Sequence, residues 1–154
     1  MRIYTDGSCL DNNRMDIDNK RGGYAIAVTH NDELVANDSG SEYGFDVTNN
    51  RMEMRAISMA IDYAAVLPNA SVKIVSDSEY CVKCLNEYIP KWSANKWRKK
   101  NGDIANLELW QEIWEKWNPE RMGIEWVKAH NGNKWNEYVD VNAGKMAKLS
   151  KERD

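Results

Sequence analysis

The chain has 154 residues, 42% hydrophobic and 29% charged, with a formal net charge of −3. That length suits one globular domain with a real core, and the composition excludes a disordered or fibrous chain. No apolar run reaches the 18 residues of a membrane span and the first residues lack a signal-peptide pattern, so a cytoplasmic chain with no membrane partner is expected.

Residues 1–9 read as a strand. Asp6 falls where the chain leaves or bends along it, and Gly7 beside it lets another group approach closely. An Asp-Gly pair also caps turns, so alone it says little. Residues 10–21 are a polar loop, and Gly22-Gly23 opens a second strand, Tyr24 to Thr29. Asn31-Asp32 is a turn. Leu34 to about Tyr43 reads as a third strand, which completes an antiparallel meander. The loop from Gly44 to Asn50 offers Thr48, Asn49 and Asn50 as helix caps. Met52, Ala56, Met59, Ala60 and Tyr63 follow the helical period, and Leu67-Pro68-Asn69 stops it. Ser71 to Ser76 is a short apolar strand. A helix between two strands is a crossover, which predicts parallel pairing.

Asp77 and Ser78 start another helix, running to about Tyr88, and Pro90 marks a break. This helix carries a C-x-x-C, Cys81 and Cys84. A zinc site would need two more ligands, and the histidines are only His30 and His130, so the pair reads as small packing residues. Lys91, Lys96, Arg98, Lys99 and Lys100 then cluster around Trp92 and Trp97. Gly102-Asp103 turns the chain. Leu107, Trp110, Ile113, Trp114 and Trp117 form a helix face, which Pro119 ends. Arg121 to Val127 is a fifth strand, His130 to Lys134 a polar loop, and Val139, Ala143, Met146 and Leu149 mark the last helix.

This order predicts an α/β fold: a single domain over residues 1–154, with one mixed five-stranded sheet flanked by helices. Asp6 and Asp77 would lie on neighbouring strands, near one edge of the sheet where loops gather. With Glu53 and Asp140 they make four acids at the ends of elements, in a chain with 24 acids. Carboxylates with no cysteine or histidine pair to match them point to a hard divalent cation, Mg²⁺ or Mn²⁺. Crowded buried carboxylates repel one another, so the cluster wants a cation. Two cations about 3.5–4 Å apart can serve an in-line attack on a phosphodiester.

Tyr4-Thr5-Asp6-Gly7-Ser8-Cys9, Gly22-Gly23-Tyr24, Thr48-Asn49-Asn50-Arg51-Met52-Glu53, Ser76-Asp77-Ser78-Glu79-Tyr80, Trp126-Val127-Lys128-Ala129-His130, Asn136-Glu137 and Asp140 follow in the order of a known family. Over residues 1 to about 148 the chain resembles ribonuclease H, type 1. The resemblance implies a ribonuclease H-like fold and a metal-dependent endonuclease that cuts the RNA strand of an RNA–DNA hybrid, leaving 3′-hydroxyl and 5′-phosphate ends. It puts two Mg²⁺ ions, with Mn²⁺ as a substitute, on Asp6, Glu53, Asp77 and Asp140. His130 falls on the family's mobile-loop histidine, associated with proton movement or product departure. Asn12, Asn49 and Asn50 match positions lining the hybrid's minor groove, and Thr48 lies near the pocket for a DNA phosphate. The segment at about 90–103 resembles the family's basic protrusion. There Lys91, Lys96, Arg98, Lys99 and Lys100 would meet phosphates, and Trp92 and Trp97 would lie on sugars or bases.

The loop after Cys9 is longer than in the family and lacks its Pro-Gly-rich run. Glu79 stands where many relatives carry Gln, and Ala129 replaces a common Gly. Two other readings keep the same residues: a DNA nuclease on the same fold, and an inactive module that recognises hybrids by shape. Nothing in the sequence suggests an obligate oligomer, so a monomer is expected.

Overall fold

In the computed structural model, which describes residues 1–67, 70–98 and 102–150, five strands form one sheet in the order β3-β2-β1-β4-β5. β1 (Arg2–Cys9), β2 (Lys20–His30) and β3 (Glu33–Gly44) are the antiparallel meander. β4 (Val72–Ser76) lies parallel to β1 and to β5 (Met122–Trp126). The helix after β3 does act as a crossover, but it carries the chain past β3 and β2 to pair β4 with β1. Asp6 is therefore inside central β1, where the strand continues to Cys9 rather than ending or bending, and Asp77 follows the end of its neighbour β4, so the site is at the end of β4 rather than at a lateral edge.

Alternation along the strands divides the side chains between two layers. Ile3, Ile26, Ile74 and Ile124 face the main core with α1 (Asn49–Ala65) and α4 (Leu107–Lys116). Tyr4, Ala25, Ala27 and Val75 face α5 (Lys134–Leu149), through Trp135, Val139 and Ala143. Ile3, Ile57, Ile74 and Trp110 have no solvent exposure. Each such aliphatic side chain contributes about 1.5–3 kcal/mol of burial. Cys81 and Cys84 are likewise fully buried free thiols in the main core, the packing role expected of them.

Side-chain capping accounts for the starts of α1 and α5. The Thr48 hydroxyl caps α1 by accepting the Arg51 N–H at 3.1 Å, so Thr48 is the cap among the three candidates. Asn133 caps α5 by accepting the N–H groups of Trp135 and Asn136. Two expectations change. The second strand begins at Lys20, not near Gly22. Lys20 and Arg21 pair with Gly44 and Tyr43, and Leu10 N–H donates to Arg21 O across the base of the polar loop. Pro90 does not break its helix. α2 (Glu79–Lys83) runs into a π turn (Cys84–Tyr88) and on through α3 (Ile89–Ala94), which holds the proline in its first turn. A proline ring crowds the carbonyl four residues earlier and supplies no N–H. The wider π turn just before it relieves that crowding.

Candidate active site

Asp6 lies in β1 one residue beyond Thr5, which is in register with Ser76 at the end of β4. Asp77 follows directly, so parallel pairing alone brings these two acids side by side. Glu53 arrives from α1, and Gly7 decides how closely. A Cβ at Gly7 would lie 2.2 Å from the Met52 carbonyl carbon and 2.3 Å from the Glu53 nitrogen. Only glycine lets the first turns of α1 rest on β1. At Gly23 the same logic seats α5, where a Cβ would lie 2.3 Å from Ala143 O and Ala147 N. α5 carries Asp140.

One oxygen from each of Asp6, Glu53 and Asp77 lies within 4.8 Å of the other two. Asp6 is 3% exposed and Glu53 9%, while Asp77 is half-buried. Asp140 stands beside this trio. It is close enough for its carboxylate to raise the pKa of Asp6, Glu53 and Asp77. Burial, then the charge of Glu53, pushes the Asp6 carboxyl far above the usual carboxylate range. Burial is also the largest cause of the upward shift of Glu53, to about 8. Asp77 is raised by burial and by Asp140. Like charges taken out of water favour the protonated form unless a cation joins them. Glu53 Oε2 is buried with no hydrogen-bond partner among the described residues. An all-oxygen donor set with an unpartnered, buried carboxylate oxygen fits a hard divalent cation.

His130 is exposed, in the loop between β5 and α5, with a left-handed φ of 55°. Its charge reaches Asp77. Gly132, at φ 78°, shares that loop. The other candidates lie on two further surfaces. At the start of α1, Asn49 Oδ1 accepts the Cys9 N–H at 2.8 Å, and Asn12 Oδ1 accepts the Asn49 N–H at 2.9 Å. The two amides thus tie the polar loop to the helix. Their nitrogens have no protein partner among the described residues and remain as donors. Asn50 is exposed beside them. The polar loop is itself ordered by buried Asp11, which accepts from the Arg21 guanidinium at 3.1 Å and from its N–H at 3.0 Å.

On the basic segment Lys91, Lys96 and Arg98 are exposed. Trp92 and Trp97 are half-buried against the main core, and Trp92 stacks on Tyr88 with ring centroids 5.8 Å apart. Lys96 and Trp97 have successive left-handed φ angles of 55° and 60°, held by a Trp97 N–H to Trp92 O bond. Lys99 and Lys100 lie outside the described residues. Glu79 pairs with Lys83 at 3.3 Å, which offsets part of its charge.

Two side chains at the site were not singled out from sequence for any role of their own. Trp126 donates its indole N–H to the main-chain carbonyl of Asp77 at 3.1 Å. Asn136, one turn before Asp140, is 2% exposed, and its Oδ1 has no partner among the described residues. Both belong to the quoted motif stretches, but only the fold reveals what they touch.

The profile of the RNase H family matches residues 1–148. The ribonuclease H of Anaplasma marginale is 37% identical over 146 residues, covering 90% of this chain and 84% of that protein. That of Cyanothece sp. is 31% identical over 159 residues, covering 99% and 96%. The crystal structure of LC9-RNase H1, a type 1 RNase H with the type 2 active-site motif, matches with a TM-score of 0.74 at 28% identity, covering 94% of this chain and 72% of that one. With the sheet order, the acid cluster and these matches together, the chain belongs to the ribonuclease H family.

Proposed function

We propose that this chain hydrolyses the RNA strand of RNA–DNA hybrids, with Mg²⁺ (or Mn²⁺ in its place) held by Asp6, Glu53, Asp77 and Asp140, and leaves 5′-phosphate and 3′-hydroxyl ends. The observation that carries this reading is the meeting of Asp6, Glu53 and Asp77 from β1, α1 and the end of β4, with oxygens within 4.8 Å of one another. Two bound cations supply an activated water and stabilise the charge that develops on the leaving oxygen.

The chain's own groups do the rest. Burial of Asp6 and Glu53 keeps water off the carboxylates and aims their oxygens at one point. His130, exposed on its loop and within electrostatic reach of Asp77, moves a proton or eases product departure. A hybrid has an A-like, wide, shallow minor groove that displays 2′-hydroxyls. The free amide nitrogens of Asn12 and Asn49, with Asn50 beside them, can donate to these hydroxyls. Thr48, whose hydroxyl already accepts the Arg51 N–H at the helix cap, stands near the pocket for a DNA phosphate. Lys91, Lys96 and Arg98, with Lys99 and Lys100 after them, neutralise phosphates farther along. Trp92 and Trp97 offer their exposed parts to sugars or bases.

The same reading makes residues 1–154 one domain acting as a cytoplasmic monomer. No described helix is long and apolar enough to cross a membrane. Cys9, Cys81 and Cys84 are free and buried, in keeping with a reducing compartment.

The test is cleavage of RNA–DNA, RNA–RNA and DNA–DNA duplexes of one sequence, with Mg²⁺ and with chelator. The expected result is Mg²⁺-dependent cutting of the RNA strand in the hybrid. Equal cutting of the DNA duplex would make the chain a DNA nuclease. Hybrid binding without cleavage would make it a binding module.

A further inference from the structure

Asp77 differs from the other acids in what holds its backbone. Asp6 is inside β1, Glu53 inside α1 and Asp140 inside α5, so regular hydrogen bonds fix their main chains. Asp77 lies in the gap between the end of β4 at Ser76 and the start of α2 at Glu79. The two peptide planes flanking its Cα set where its carboxylate points. Val127 N–H pins the first by donating to Ser76 O at 2.9 Å. The second is held at its oxygen by the Trp126 indole, at 3.1 Å, and at its N–H by Ser76 Oγ, at 3.0 Å.

The indole is poorly explained by packing. Met122 and Ile124, on the same face of β5, are each 6% exposed and belong to the main core. Trp126, next on that face, is 46% exposed. What defines its place is the bond across the β4–α2 junction. Its neighbour Val127 makes the companion bond, and the chain then enters the loop that carries His130.

We infer that Trp126 is a positioning residue for Asp77: its indole N–H fixes the peptide that aims the Asp77 carboxylate, and it joins that aim to the root of the His130 loop. The inference rests on the reading of Asp77 as a cation-holding acid. Outer partners of metal-holding groups typically change metal affinity or activity by about 10–100-fold when lost. Ser76 Oγ still holds the other end of the peptide, so the lower part of that range is expected.

The experiment uses the full chain with Trp126→Phe and, separately, with the benzothienyl isostere of tryptophan at position 126, which keeps the bicyclic shape and lacks the N–H. Calorimetric titration with Mn²⁺ alone, without nucleic acid, reads metal affinity. Steady-state cleavage of a hybrid in Mg²⁺ reads kcat and KM. For both variants we expect Mn²⁺ affinity and kcat each about 10-fold lower, hybrid KM within about twofold of the parent, and an unchanged Tm for the isostere. Parent-like Mn²⁺ affinity and kcat in the isostere would overturn the inference. So would a raised KM with unchanged kcat, which would make Trp126 a substrate contact. A lower Tm in Trp126→Phe with parent-like Mn²⁺ affinity and kcat would also overturn it, by making the role structural. If the parent itself does not cut the hybrid, the proposed function fails, and the Mn²⁺ titration still decides whether the indole N–H acts on Asp77.

Discussion

Asp6, Glu53 and Asp77 come from three elements far apart in the chain, and one glycine contact sets how closely two of those elements approach. Lys91, Lys96 and Arg98 come from one short segment and stand exposed, over tryptophans partly buried in the core. The acids are like charges forced together out of water. The cations are like charges left apart in it. Precision in the first region depends on tertiary packing, so a single atom can displace the whole site. In the second, charge acts through solvent, each group adds a little, and position is forgiving.

Asp77→Asn should separate the regions most. It keeps the side chain's shape and removes a cation-holding charge, so cleavage in Mg²⁺ should fall by more than the ~10–100-fold typical of outer partners, while hybrid binding through the basic segment persists. Near-parent turnover would remove Asp77 from the site. Gly7→Ala tests packing instead of charge. The added methyl must displace backbone at Met52 and Glu53. Overpacking of this kind costs about 1–3 kcal/mol or more, roughly 2–4 °C of Tm per kcal/mol at this chain length. Cleavage per folded molecule should fall as well, because Glu53 moves. A variant that melts and cuts like the parent would show that the approach of α1 to β1 is not critical.

His130→Ala should slow the enzyme without silencing it. A positioned acid–base group contributes about 10²–10⁴-fold, and a role in product departure would leave the chemical step intact. A loss as complete as with Asp77→Asn would move His130 into the chemistry, and no loss would take it out of the site.

The acid cluster should also be visible in stability. Burial raises the folded-state values of Asp6, Glu53 and Asp77, so native protein binds more protons than unfolded chain. Their contribution is full below the unfolded carboxylate value of about 4 and is lost as pH rises through the folded values, that of Glu53 being about 8. In chelator, Tm should fall between those limits. Saturating Mg²⁺ should flatten the decline, and Asp77→Asn should reduce it. A chelated protein whose Tm does not respond to Mg²⁺ near pH 8 would contradict cation binding by these acids.

The smallest effects belong to the basic segment. Replacing Lys96 and Arg98 by Ala should raise KM with little change in kcat, since distant phosphate contacts stabilise ground and transition states alike. Each lost contact should flatten the log–log salt dependence by roughly 0.7–0.9. An unchanged slope would leave these residues as a solvated surface. Trp97→Ala sharpens the contrast. Its half-burial against the core predicts a lower Tm, whereas a pure stacking role would lower affinity alone.

Much of the fold was readable along the chain because its signals are local. Apolar alternation marks the strands, the 3.6 period marks α1 and α4, and Thr48 marks the start of α1, while Pro68 and Asn69, read as its stop, lie outside the described residues. Gly7 was legible as a place of close approach, although not what approaches it. The start of β2 was missed because Lys20 and Arg21 carry no strand signal of their own and are held by pairing with β3. Pro90 misled because a local rule met a tertiary remedy, the π turn that keeps the helix docked on the core.

The sequence by itself determined the element order, the four acids and the family to which they point. Each follows from residue type and spacing, which exist before the chain folds. Only the tertiary structure decided that β4 runs parallel between β1 and β5, and that Asn12 and Asn49 lock the polar loop to α1. It also decided that Trp92 and Trp97 give part of their surface to the core, and that Trp126 holds the backbone of Asp77. The pairing and hydrogen bonds among these contacts join residues 37 to 71 positions apart. Closing such loops is repaid only by the packing of the whole molecule, so no stretch of sequence carries their signal alone.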